Sequence, residues 1–101
     1  KEQIVITEKI WNTLLEMIVC DKDEYSPQIV NDKINSIANN YNINIKNIVT
    51  EFLNYIIRHH KKYITGEFLK FCESMMHIHD INTKYYTNFF IYKSRNILFS
   101  N

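Results

Sequence analysis

Apolar side chains along this chain recur at three- and four-residue spacing, and short polar stretches divide the pattern into five helical segments. Thr7 stands as an N-cap before Ile10, Trp11, Leu14, Leu15, Ile18 and Val19, which share one broad stripe. The acidic run Asp21, Asp23, Glu24 ends that stripe. Ser26-Pro27 restarts it, with serine as cap and proline at the first helical position, where its missing N–H costs nothing. Val30, Ile34, Ile37, Ala38 and Tyr41 then form an inner face. The stretch Asn39-Asn40-Tyr41-Asn42 predicts a turn, and Asn44 can cap the third helix. Ile45, Ile48, Val49, Phe52, Leu53, Ile56 and Ile57 make that third helix the most apolar, which places it at the centre of the bundle.

The third helix ends in Arg58, His59, His60, Lys61 and Lys62, where positive charge favours the C-terminal end of the dipole. Thr65-Gly66-Glu67 opens the fourth, with Ile64 placed to pack on Leu69 as a hydrophobic staple. Its expected apolar positions are Phe68, Leu69, Cys72, Met75 and Met76. The joint from His77 to Ile81 leads to an Asn82 cap and a final helix bearing Tyr85, Tyr86, Phe89, Phe90 and Ile97. Many residues are β-branched, but on a strand this spacing would put half the apolar side chains in water. The pattern therefore predicts one all-α domain over residues 1–101, an antiparallel bundle of about five helices with short loops.

Composition narrows the function classes. One Gly and one Pro in 101 residues argue against most all-β folds. The single glycine, Gly66, also excludes a phosphate-cradling loop and a dinucleotide fingerprint. A net charge of +1 creates no overall field for nucleic acid or membrane. No apolar run approaches the ~18–20 residues that span a bilayer, so no membrane partner is expected. Because the chain begins at Lys1, it is expected to be a fragment or a processed product. Cys20 and Cys72 lie among apolar residues and are expected to be buried thiols of an intracellular protein. Seventeen Ile, thirteen Asn and a lone alanine, Ala38, point to an AT-rich genome, so single Asn or Lys residues are weak signals of chemistry.

Candidate chemistry is sparse. His77, His79, one of His59 and His60, and Cys72 could in principle hold zinc, yet no Cys-x-x-Cys or His-x-x-x-His pair anchors such a site. A helical metallohydrolase using His59, His77, His79 and Asp80 would lack its last carboxylate, since no acid follows Asp80. Cys72 lies on an apolar stripe, a setting that leaves a thiol inert. Charge asymmetry is more informative. Residues 1–80 hold nine Lys/Arg against eleven acids, while residues 81–101 hold three bases and no acid. Arg58, Lys61, Lys62, Lys84, Lys93 and Arg95 form a candidate basic patch, and bases interleaved with aromatics can bind single-stranded nucleic acid. On the final helix Tyr85, Phe89 and Tyr92 fall on one line and Tyr86, Phe90 and Ile97 on another, more than one peripheral stripe requires. The first line is the preferred candidate for a protein interface, with Phe68 and Phe71 as weaker candidates.

The order of these features resembles the C-terminal region of replication factor C small subunits, components of the eukaryotic clamp loader. Trp11 and the Ser26-Pro27 restart, Ile48-Val49-Thr50-Glu51-Phe52-Leu53, Gly66-Glu67 and Tyr86-Thr87-Asn88-Phe89-Phe90-Ile91 carry the likeness, from about Ile10 to Ile97. The chain departs from the family at Ile43-Asn44-Ile45-Lys46, where relatives have an Ile-Pro-Pro-Glu type turn, and at Asn88, where relatives carry Glu. The resemblance implies a helical collar domain that assembles side by side into a hetero-pentamer. It implies a nuclear role in DNA replication, with the sliding clamp and primer–template DNA as partners of the complex. ATP and magnesium would belong to an N-terminal ATPase module, so no cofactor and no catalytic residue is expected in this chain. The alternative reading is a helical protein- or nucleic-acid-binding module that uses the basic, aromatic last helix.

Overall fold

A computed structural model describes residues 6–78 and 82–99. Among these residues the chain forms α1 (Glu8–Val19), α2 (Pro27–Tyr41), α3 (Ile45–His59), a single 3₁₀ turn (Lys61–Tyr63), α4 (Gly66–Met76) and α5 (Thr83–Phe99), with no strand. The all-α bundle predicted from the spacing is the observed fold.

Side-chain caps fix most of the boundaries. Ser26 Oγ accepts from the Ile29 amide at 3.3 Å, Asn44 Oδ1 from Asn47 at 2.8 Å, and Thr65 Oγ1 from Phe68 at 3.1 Å. Asn82 Oδ1 accepts from both Lys84 (2.8 Å) and Tyr85 (3.2 Å), satisfying two amides that have no partner within α5. Thr7 occupies the N-cap of α1, but its side chain makes no capping bond. The expected turn at Asn39–Asn42 is shorter than predicted, because α2 continues through Tyr41. Asn42 then takes the left-handed conformation (φ 53°) and, with Ile43, returns its amide to the Ala38 carbonyl. Asn is the residue besides glycine that tolerates this geometry best.

Two expectations about the core are corrected. First, α5 rather than α3 is the hub: it packs against α1, α2, α3 and α4. Its buried positions are Tyr86, Thr87, Phe90, Ile91, Ser94, Ile97 and Leu98. The Thr87 and Ser94 hydroxyls are buried without cost because they donate to Thr83 O (2.9 Å) and Ile91 O (3.2 Å) of their own helix. Second, α4 is rotated by about one residue from the expected face. Phe68, Phe71 and Met75 point inward, while Leu69 and Met76 are exposed. The i, i+3, i+7 line one residue earlier carries the aromatic rings, and one of them, Phe71, reaches Phe90.

Phe90 organises the core. It meets Phe52 edge-on (centroids 5.9 Å, 88°) and stacks on Phe71 (6.0 Å, 17°), while Phe52 also meets Trp11 at 6.3 Å. These four rings join α1, α3, α4 and α5. Phe52→Ala and Phe90→Ala are each expected to cost about 3–5 kcal/mol in urea denaturation, a large share of the total stability of a domain of this size.

Candidate functional site

The last helix presents two aromatic lines, and they part as the spacing predicts. Tyr86 and Phe90 enter the core, whereas Tyr85 and Tyr92 stand 59% and 64% exposed, with Phe99 at 40% on the same face. Phe89 is half-buried between them and lies parallel to Tyr85, with centroids 6.5 Å apart. From Tyr85 to Phe99 the line runs about 21 Å along the helix axis. Beside Tyr92 a half-open groove of about 380 Å³ is lined by Tyr25, Pro27, Asn88, Ile91, Arg95 and Asn96. Of the five candidate interface residues, the structure thus leaves Tyr85 and Tyr92 open and Phe89 partly so. Phe68 and Phe71 are corrected: both are buried core residues, and Phe71 stacks on Phe90 of α5.

The candidate basic patch is also revised. Arg95 does not face solvent as a free cation. Its Nη1 donates to the Ile18 carbonyl (2.8 Å), in the last turn of α1, and to the carbonyl of the C-cap Cys20 (2.6 Å). Its guanidinium lies 4.1 Å from the Tyr25 ring centroid and 3.6 Å from that of Phe99. A cation there neutralises the negative end of the α1 dipole and satisfies carbonyls that the helix leaves unpaired. Burial pushes the Tyr25 hydroxyl above its ordinary range, opposed by the Arg95 charge. Arg58, Lys61 and Lys62 are exposed at the α3 end, with Lys62 Nζ 5.1 Å from the Tyr63 ring centroid. Lys84 follows α4, whereas Lys61 and Lys62 precede it, so about 16 Å of helix separates them. Lys93 is half-buried. The six bases do not converge.

The upstream histidines take structural roles. His59 Nε2 pairs with Glu8 Oε2 at 2.8 Å, tying α3 to the start of α1. Tyr55 Oη donates to Asn12 Oδ1 (3.2 Å), and the Asn12 amide donates to Glu16 Oε2 (3.2 Å). Tyr55 has one proton, so His60 Nε2, 3.0 Å away, is the donor in their contact. Burial, reinforced by Glu8 and Glu16, raises the Tyr55 hydroxyl and keeps it a neutral donor. His77 Nδ1 lies 2.8 Å from the Glu73 carbonyl. His79 and Asp80, on which both metal readings lean, lie outside the described residues. Among the described residues no three His, Cys, Asp or Glu side chains gather as a metal site.

Cys20 and Cys72 are free and half-buried, less enclosed than the apolar context implied. Burial pushes the Cys72 thiol up to about 11. No helix among the described residues is long and apolar enough to cross a membrane. Comparison with protein-family models, curated proteins and solved structures returns no match to this chain.

Sequence reasoning missed a second set of exposed apolar side chains: Ile29 on α2, Ile57 on α3, and Leu69 and Met76 on α4. The doubled apolar line of α4, Phe68–Phe71–Met75 beside Leu69–Cys72–Met76, was the available signal. One of the two had to remain outside.

Arg95→Met is expected to cost about 1–3 kcal/mol, because two carbonyl partners and a stacked cation are lost together. Urea denaturation measures it, and the same variant should leave any affinity for single-stranded DNA unchanged. Cys72 is expected to alkylate with iodoacetamide at pH 8 at least about tenfold more slowly than in urea-unfolded chain, since only the thiolate reacts. Above pH 9 the unfolded thiol releases its proton before the folded one, so Cys72 lowers stability progressively between pH 9 and 11.

Proposed function

We propose that this chain is a helical assembly domain and that its place is the collar of a sliding-clamp loader. The observation that carries this reading is the outward aromatic line of α5, Tyr85, Phe89 and Tyr92, on a helix whose opposite side already fills the core. Large side chains displayed on the helix that contacts every other helix are poorly explained by folding alone. Exposed aromatic rings flanked by polar Asn88 and Asn96 have the composition of a protein interface, in which rings supply anchoring area and amides align it.

In this role the domain holds neighbouring subunits side by side and performs no chemistry itself. The ATPase modules of the same subunits would bind ATP and magnesium, open the clamp and follow primer–template DNA, in the nucleus. The likeness in sequence at Trp11, Ser26-Pro27 and Gly66-Glu67 is what supports the assignment. Tight assembly needs heterologous faces, one for each neighbour, and α5 supplies one of them. The internal use of Arg95 weighs against the nucleic-acid-binding alternative, since it removes a cation from an already small set.

The test is capture of the other clamp-loader small subunits of the same cell by the immobilised chain, identified by mass spectrometry. Specific recovery of one or two is expected, and Tyr85→Ala or Tyr92→Ala should each weaken it about tenfold. Folding stability should stay within about 0.5 kcal/mol, because both rings are exposed. A folded chain that captures none of these subunits, and instead binds single-stranded DNA with steep salt dependence, would falsify the collar reading.

A further inference from the structure

The seam between α3 and α4 collects sulfur. α4 packs chiefly against α5, and its flank toward α3 leaves a small cleft of about 70 Å³. Val49, Leu53 and Ile57 border it from α3, and Cys72, Met75 and Met76 from α4. Two of the three methionines of the chain and one of its two cysteines thus meet at one space. Helical spacing explains the grouping, since positions i+3 and i+4 flank position i one turn on, with Cβ atoms about 5–6 Å away. Met75 is buried, Cys72 half-buried and Met76 65% exposed, so the set reaches from the core to solvent. A drug-sized organic ligand needs a pocket of about 300–1,000 Å³, which this cleft is far too small to offer. It has room for a single ion.

We propose that the cleft binds a soft monovalent metal ion, Cu(I), through the Cys72 thiolate and the thioethers of Met75 and Met76. The donor set decides the class of metal. Thiolate and thioether sulfur select Cu(I), whereas calcium and magnesium require oxygens and zinc draws on thiolate, imidazole and carboxylate. Among the described residues no carboxylate or imidazole borders this cleft. The Thr50 hydroxyl at its edge is already engaged, donating to the Lys46 carbonyl at 3.0 Å. Charge leads to the same ion. On binding, the thiol proton leaves to solvent, so Cu(I) and the thiolate form a neutral unit. A divalent ion would leave a net positive charge beside Val49, Leu53 and Ile57, at a large desolvation cost. The thioether arms are unbranched and turn about three bonds, so they can reach an ion without moving the backbone. The other thiol has different surroundings: Cys20 lines a cavity with one thioether, Met17, and the carboxylates Glu16 and Glu24, and its Sγ donates to the Met17 carbonyl. The site shares no residue with the α5 line or the groove beside Tyr92, so it is independent of the collar reading.

Anaerobic titration of the intact chain with Cu(I), in competition with the chromophoric chelator bicinchoninate, tests the site. The chain is expected to withdraw about one equivalent of copper. Met76→Leu keeps the size and apolarity of an exposed side chain and removes only its sulfur. It should fold as the wild type does by circular dichroism and weaken retention at least about tenfold. Cys72→Ser should abolish retention and Cys20→Ser should leave it unchanged, with the fold of each checked in the same way. X-ray absorption at the copper edge should show sulfur neighbours alone. A wild-type chain that withdraws no copper from the chelator overturns the proposal. So does retention that Met76→Leu leaves intact, retention that is lost with Cys20 rather than Cys72, or a copper shell that contains nitrogen or oxygen.

Discussion

The structure depends on how Phe90 is placed. Its ring must serve α3 through Phe52 and α4 through Phe71 at once, and Phe52 passes the contact on to Trp11 of α1. A single ring can meet two others only if it approaches them differently, and here it is edge-on to one and stacked on the other. That double contact sets the rotation of α5. With Phe90 inward, Tyr86, Ile97 and Leu98 are carried into the core, and Tyr85 and Tyr92 are carried to the outside. The rotation of α4 follows too, because Phe71 must reach the same ring. The outer face of α5 is thus a consequence of the core.

Element boundaries were legible because they rest on local chemistry. Ser26 before Pro27, Asn44, Thr65 and Asn82 each cap a helix through a side-chain oxygen, and residue type alone discloses that capacity. The Asn39–Asn42 turn was read too long for a related reason. Asparagines at 39 and 40 are tolerated inside a helix, and only Asn42 takes the left-handed bend. The identity of the hub was not legible. Apolar content favoured α3, whereas centrality was set by Thr87 and Ser94, which count as polar in any pattern yet are buried once their hydroxyls bond to the preceding turn. In α4 two apolar lines of similar strength competed, and only the position of Phe90 on another helix decides between them.

The site was legible in part for the same reason. That one of the two aromatic lines of α5 must face out follows from spacing, and Tyr85 and Tyr92 do so. Which positive charges are free does not follow from spacing. Arg95 is separated from Ile18 by most of the chain, and nothing near it in sequence announces that it will bind the carbonyls at the end of α1. A count of bases on α5 therefore overstates its charge toward solvent. The same bond has a second effect: it holds the α1–α2 connection against α5, so the groove beside Tyr92 is walled by Tyr25 from a different part of the chain.

Area decides what kind of contact the α5 face can make alone. Tyr85, Tyr92 and Phe99 expose 59%, 64% and 40% of side chains that bury on the order of 200 Å² each, or about 330 Å² together. A stable interface removes about 800 Å² from each partner. The aromatic line supplies anchors for such a contact but not its whole extent, so the flanking amides and the edge of the Tyr25 groove must contribute. A domain built this way binds weakly through any single face. It gains strength when neighbours engage different faces together, because each contact raises the effective concentration for the next. That property is what the proposed assembly role asks of a single domain.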